Sequence, residues 1–349
     1  MIKIELLRAH ELSDSLKSDW ARIQEAHAEF DSPYFRVEFT DAVAAVRDDV
    51  WIAVLEQAGQ PVGFFPFHRD RSGVGWPVGA GMSDFHGVIA HPDLLWRPNQ
   101  LIRDCGLKEW KFHALVVSDE RFASFADSTG GSPFIDVSQG FEAYANEQRR
   151  RGSRVVDRLK ALARKLHREV GPLRYEAHCA DAARLHQLLD WKWRRYGSKE
   201  PTRDSWPQWR IGLLERIQRA AAPAFAGMCS LLWAGDKLVA AHMGMRAGRV
   251  FHYWFPSYDE AYARYSPGLL LLVDILKDAH RLGVERADLG QGGEDYKGRF
   301  MTGSIGLLTG SIVVSPRRRA LRRFKRQSLS LLRKTPLRPL WRSVRTLFS

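Results

Sequence analysis

The densest run of reactive side chains lies between Asp288 and Arg299. There Asp288, Glu294, Asp295, Tyr296, Lys297 and Arg299 surround Gly290, Gly292 and Gly293. A carboxylate that takes a proton, a phenol that gives one and an ammonium that holds an anion are the equipment of a group-transfer site. Glu294 is the candidate general base for an attacking amine or hydroxyl, and Tyr296 is the candidate acid. Lys297 is a candidate holder of phosphate or carboxylate, and Asp288 and Arg299 are expected beside the substrate. The competing reading is a solvated turn in which Lys297 and Arg299 pair with Glu294 and Asp295. A dinucleotide-binding fingerprint is a poor fit, because the glycines are not expected to open a helix.

Three other places hold candidates. His242 and His252 sit in neighbouring strand-like segments with Tyr253 and Trp254. His242 is the second acid–base candidate because imidazole titrates near neutral pH, although a strand histidine can equally serve structure. Trp254 is expected to touch substrate. In Ser83-Asp-Phe-His86, Asp84 and His86 combine carboxylate and imidazole in a glycine-rich loop, which lines an acceptor cleft or is a plain loop. Trp191, Trp193, Trp206 and Trp209 form a sugar-stacking platform or simply pack in the core. The chain has no HExxH metal spacing and no GxSxG nucleophile elbow, so neither a metal site nor a covalent nucleophile is expected.

These residues need elements to position them. The segment 1–7 alternates like a strand, and amphipathic helices are expected over 12–30 and on to about Val46. Val50–Leu55 and Val62–Phe67 read as strands joined at Gln57-Ala-Gly-Gln60, a hairpin signal. Lys111–Val117 is another strand, and Phe141–Arg168 a basic helix crossing between two halves. Leu173–His178 is a strand, with helices at 181–196 and 206–221. Met228–Trp233, Val239–Arg246 and Val250–Phe255 form an antiparallel meander with turns at Gly235 and Gly248. Ser266-Pro-Gly268 opens an apolar helix, Leu269–Leu282. Arg286–Leu289 and Ile305–Val314 are the last strands. The expected organisation is an N-terminal unit, 1–140, the crossing helix, 141–171, a C-terminal unit, 172–315, and a tail, 316–349.

The chain has 349 residues, 45% of them hydrophobic, with 12 Trp and 18 Phe, enough for a sizeable core. Cys105, Cys179 and Cys229 form no CxxC pair, which argues against a disulfide scaffold and for a cytoplasmic setting. No apolar run is long enough to span a membrane. The net charge is +13, of which +12 lies in 316–349, leaving +1 for the body. Nucleic acid is therefore not the expected partner of the body. In the tail, Leu337, Leu340, Trp341, Val344, Leu347 and Phe348 recur at helical spacing between arginines. That pattern suits a helix lying on an anionic membrane surface, with packing on the body and nucleic-acid binding as the other readings.

Residues 151–315 resemble the acyl-CoA N-acyltransferase (GNAT) superfamily. The likeness rests on Leu238-Val-Ala-Ala-His242, Trp254-Phe-Pro-Ser-Tyr-Asp259, Tyr265-Ser-Pro-Gly-Leu-Leu-Leu271 and Asp288-Leu-Gly-Gln-Gly-Gly-Glu-Asp-Tyr-Lys297. The last is similar to a signature of the CelD type of bacterial exopolysaccharide and cellulose synthesis, whose tandem architecture resembles FemAB peptidyltransferases. Gln291 and Gly293 depart from that signature, where a cation and Asp are common. The resemblance implies an α/β fold of two tandem GNAT-like units with mixed, mostly antiparallel sheets. It implies acetyl-CoA as donor and an amine or hydroxyl of a glycan or lipid-linked sugar as acceptor. Tyr296 would then protonate the departing thiolate. Tyr265, Ser266, Gly268, Leu269 and Lys297 would hold the donor, its pyrophosphate at the helix N-terminus, although the loop keeps only the first of the family's two small residues. With the tail, this implies a peripheral protein of the inner membrane's cytoplasmic face. A FemAB-like enzyme using charged tRNA and a non-catalytic adaptor are the alternatives.

Overall fold

The computed structural model describes residues 2–117, 120–196 and 206–316. The basic amphipathic pattern of the tail lies outside them. Lys3–Leu7 (β1) pairs antiparallel with Val50–Gln57 (β2), which turns back into Gln60–Arg69 (β3). The expected hairpin is present with its turn: Ala58 and Gly59 have φ of +52° and +77°, the left-handed pair that matches strand twist. Val74–Pro77 (β4), Ile89–Ala90 (β5) and Glu109–Val116 (β6) follow. Helices Asp14–Glu25 (α1), Val37–Ala44 (α2) and Pro98–Asp104 (α3) are interspersed among them. Ser13 caps α1, its hydroxyl accepting from the Leu16 N–H at 3.2 Å. The segment read as one helix to Phe30 stops at Glu25 and ends in a single 3-10 turn.

Ala126–Asp136 (β7) has no counterpart in the sequence reading. Its first half, ADSTGG, is exposed and without apolar alternation, so it is a strand only because its neighbours pair with it. The expected crossing helix is two helices, Phe141–Arg150 (α4) and Val155–Glu169 (α5), broken where Gly152 takes φ +81°. Leu173–Glu176 (β8), Ala182–Tyr196 (α6) and Gln208–Arg219 (α7) lead into the expected meander. Its strands are Ala226–Ala234 (β9), Lys237–Ala247 (β10) and Val250–Tyr258 (β11). Pro267–Asp278 (α8), Arg286–Asp288 (β12), Asp295–Phe300 (α9) and Gly303–Val313 (β13) complete the described order.

These strands form one mixed sheet in the order β1-β2-β3-β4-β6-β13-β7-β12-β11-β10-β9-β8, with β5 on β3. Only β4–β6 and β11–β12 pair parallel among the named strands. The last strand, β13, lies between β6 and β7 and is antiparallel to both. One face of the sheet carries a core shared by both halves, in which Trp20, Phe39 and Phe64 belong with Leu213, Leu231 and Met243. The opposite face carries two separate cores, one around Phe65, Phe67 and Trp110, the other around Leu166, Leu271 and Phe251. Helix α8 is apolar nearly all round because it fills that second core, with Leu270, Leu271, Leu272, Ile275 and Leu276 buried.

Candidate active site

Strands β11 and β12 pair only at Val250↔Arg286, Phe251↔Ala287 and His252↔Asp288. Beyond that point β11 runs on to Tyr258, whereas the chain after Asp288 turns away, the Leu289 N–H donating to the Pro133 carbonyl at 2.9 Å. The gap opens into a cleft of about 680 Å³. Its walls are Tyr253–Pro256 and Tyr258 of β11, Ser266 with Gly268 and Leu269 at the start of α8, and Leu289, Gln291, Glu294, Tyr296 and Lys297. Gly81, Met82 and Asp84 from the first half and Lys192, Trp206 and Arg210 close the other side.

A β-bulge shapes the β11 wall. Met243 faces Phe255 and Met245 faces His252, so Tyr253 and Trp254 together oppose Gly244. The displaced Trp254 N–H donates to His242 Nε2 at 3.1 Å. His242 is fully buried and stacks on Tyr253, with centroids 4.3 Å apart. Burial holds its pKa well below the usual histidine value, so the ring is a neutral acceptor beneath the cleft, not a group within it. Only glycine fits at position 244, since a Cβ there would lie 2.3 Å from the His252 carbonyl oxygen and 2.5 Å from His242 Cε1.

The loop after β12 leads directly into α9, with Glu294 as its N-cap residue; the glycine run does precede a helix, though one of a single short turn and a half. Lys297 is 6% exposed. Its Nζ donates to the carbonyls of Gly290 at 3.2 Å and Gln291 at 2.7 Å and pairs with Glu294 Oε2 at 3.0 Å. The ammonium thus ties the loop together and orients Glu294. Gly290 and Gly292 take φ of +70° and +134°. A Cβ on the first would lie 2.7 Å from Asp84 Oδ2, and on the second 2.3 Å from Glu294 Oε2.

Asp84 reaches the cleft from the first half and meets His252 Nε2 at 2.9 Å. A carboxylate offers no donor, so His252 carries its proton on Nε2. His252 is fully buried, with the Tyr34 ring edge-on at 4.9 Å. The sequence singled out Asp84 with His86, but His86 turns away. It bridges to Leu115, packs its ring on Trp110 and His113, and is held neutral by burial. The carboxylate's imidazole partner is supplied by β11, 168 positions later.

Of the remaining candidates, Glu294, Tyr296, Trp254, Ser266, Gly268 and Leu269 line the cleft. Tyr265 is fully buried and donates its hydroxyl to Glu169 Oε2 at 2.7 Å. Asp288 is fully buried on Arg286, which also reaches Asp31 across the two halves. Arg299 is exposed on α9, outside the cleft. Trp191 and Trp206 pack in the shared core, and Trp206 also forms cleft wall. Arg210 was not singled out by the sequence, because an arginine in an amphipathic helix carries no local signal. No group of three or more His, Cys, Asp or Glu among the described residues is placed to hold a metal.

The cleft suits an extended thioester arm. Beyond His252, β11 has no strand on its β12 side among the described residues, leaving backbone for an amide-bearing arm. The cleft ends at the first turn of α8, where Ser266 takes φ +52° before Pro267. The N–H groups of Leu269 and Leu270 already bond Ser266 O at 3.0 and 3.1 Å, and Pro267 has none. Gly268 offers the N–H of that turn that remains for an anion.

Residues 153–298 match the profile of a family described as "Acetyltransferase (GNAT) domain". Comparison with curated protein sequences gives no match. Among solved structures, FemX is similar at TM-score 0.59 and 9% identity, covering 90% of this chain and 99% of that one. A tandem GNAT protein from the clavulanic acid biosynthesis pathway is similar at TM-score 0.52 and 10% identity, over 90% and 99%. A C-terminal domain from Agrobacterium fabrum, assigned to a lysylphosphatidylglycerol synthetase, is similar at TM-score 0.54 and 14% identity, over 90% and 97%. The fold is the tandem GNAT fold. At these identities the likeness concerns architecture alone.

Proposed function

We propose that the protein moves an acetyl group from acetyl-CoA to an amine or hydroxyl of a glycan or lipid-linked sugar. The observation that carries this reading is the parting of β11 from β12 beyond His252 and Asp288, over a cleft that ends on the first turn of α8. The glycan acceptor and the exopolysaccharide setting rest on the resemblance of the 288–297 segment. Asp84 holds the attacking group, and Glu294 takes its proton as the new C–N or C–O bond forms. The C–S bond breaks, and Tyr296 gives its proton to the leaving sulfur. Lys297 acts by positioning Glu294, and Tyr253, whose hydroxyl donates to the Gly268 carbonyl at 3.2 Å, fixes α8 against β11.

Calorimetric titration of acetyl-CoA into the full-length protein and its Gly268→Trp variant tests the reading. A Cβ at position 268 would already lie 3.3 Å from Tyr258 Cδ1, so a tryptophan there obstructs the turn. Micromolar binding in the native protein, lost in the variant, is expected. Equal heats in both would mean that binding occurs elsewhere, and no binding to the folded native protein would replace acetyl-CoA by a tRNA donor or an adaptor role.

A further inference from the structure

Arg210 stands in the first turn of α7, on the cleft wall. Its Nε is buried without a hydrogen-bond partner, and no carboxylate pairs with it among the described residues. Arg36 and Arg286 find acids, Glu25 and Glu38 for the first and Asp31 and Asp288 for the second, and the half-buried Arg8 and Arg69 donate to backbone carbonyls. Arg210 instead lies over Trp206 and Trp209, 5.5 Å from each ring centroid. Burial, and then the charge of Arg47, lower its pKa.

The placement is costly as it stands. A cation in the first turn opposes the helix dipole, and α7 has neither an acid in that turn nor a side-chain cap. The acids of the cleft pair with other groups than Arg210, Asp84 with His252 and Glu294 with Lys297. An anion from solution would satisfy the guanidinium and the helix terminus together.

We propose that Arg210 binds a phosphate carried by the acceptor, with the acceptor's amine or hydroxyl lying toward Asp84. This deepens the acyl-transfer reading of the cleft and rests on it. Gly81 marks the distance: a Cβ on it would be 3.9 Å from Arg210 Nη2, and Asp84 follows three residues later, at most about 11 Å of chain. Among the acceptors proposed above, the class is therefore one that carries a phosphate near its amine or hydroxyl, supplied as a free phosphate ester or as a lipid headgroup.

The test compares phosphoethanolamine with ethanolamine by calorimetry on full-length native protein, Arg210→Ala and Arg210→Lys. The tail is common to all three, so differences report position 210. Phosphoethanolamine should bind about ten- to a hundredfold more weakly to Arg210→Ala, with Arg210→Lys between, while ethanolamine is unchanged. Acetyl-CoA binding, measured on the same proteins, should be equal; it checks the fold and tests the donor reading separately. Absence of any Arg210-dependent phosphoethanolamine binding, in solution and on vesicles bearing phosphatidylethanolamine, overturns the proposal. So does a parallel loss of acetyl-CoA binding, which would give Arg210 to the donor. Dependence seen only on the vesicles supports a lipid headgroup, and dependence seen in solution supports a free ester.

Discussion

The Asp84 carboxylate accepts a hydrogen bond from His252 Nε2 at 2.9 Å across the seam between the two halves. The pair places a carboxylate, 30% exposed, on the wall of the cleft that Glu294 also lines, and a fully buried imidazole behind it. Asp84→Asn keeps an acceptor for His252 but removes the charge. It is expected to raise the acceptor KM at least tenfold, with acetyl-CoA Kd unchanged. An unaltered KM in steady-state kinetics would remove Asp84 from the acceptor site.

Glu294→Gln removes the proposed base and leaves its place at the helix terminus. The expected result is a kcat lower by about 10² to 10⁴, with an unchanged melting temperature. Lys297→Met differs, because it strands two carbonyls and an acid that the ammonium now satisfies. It should cost about 3 kcal/mol in denaturant unfolding as well as activity. Full activity in both variants would refute the site.

Gly244→Ala forces a methyl onto the His252 carbonyl and the His242 ring. Overpacking at a bulge is expected to cost about 3 kcal/mol or more, read as a lower denaturation midpoint. A stable variant would show that the bulge can be undone.

His86 and His242 are both held neutral by burial, with pKa values well below the usual 6.5. The unfolded chain binds protons at these sites that the native fold refuses. Stability therefore falls as pH drops below about 6.5, by up to roughly 1.4 kcal/mol per unit for each histidine. Unfolding at pH 7 and pH 5 measures this slope, and His242→Gln should flatten it.

Removing residues 316–349, with their twelve basic side chains, should shift the protein from membrane to supernatant in vesicle sedimentation, more so at low salt. Unchanged partitioning would refute the membrane reading. Among the described residues no helix is long and apolar enough to cross a bilayer.

The strands that the sequence announces are β1, by its alternation, β2, β3 and the β9–β11 meander, by apolar runs between glycine turns, and the shorter apolar segments β6, β8, β12 and β13. Strand β7 gives no such sign, since the exposed Ser128, Thr129 and Gly130 owe their extended form to β13. Residue types drew attention to the 288–297 loop, and the Lys297–Glu294 pair of the competing reading is present, yet the direction of Lys297, inward to carbonyls, depends on a loop shape set by left-handed glycines. The partners of Asp84 and of Asp31 lie 168 and 255 positions away. No local pattern encodes contacts of that reach.

The seat of β13 between β6 and β7 has a consequence for synthesis. A ribosome delivers β6 and β7 long before Gly303 to Val313 emerge, so until then the two strands have no common neighbour to join them. The first half must wait with open strand edges, which are templates for pairing with other nascent chains. A chain that stops short of residue 303 loses the strand that closes the first half, and should associate before it can mature.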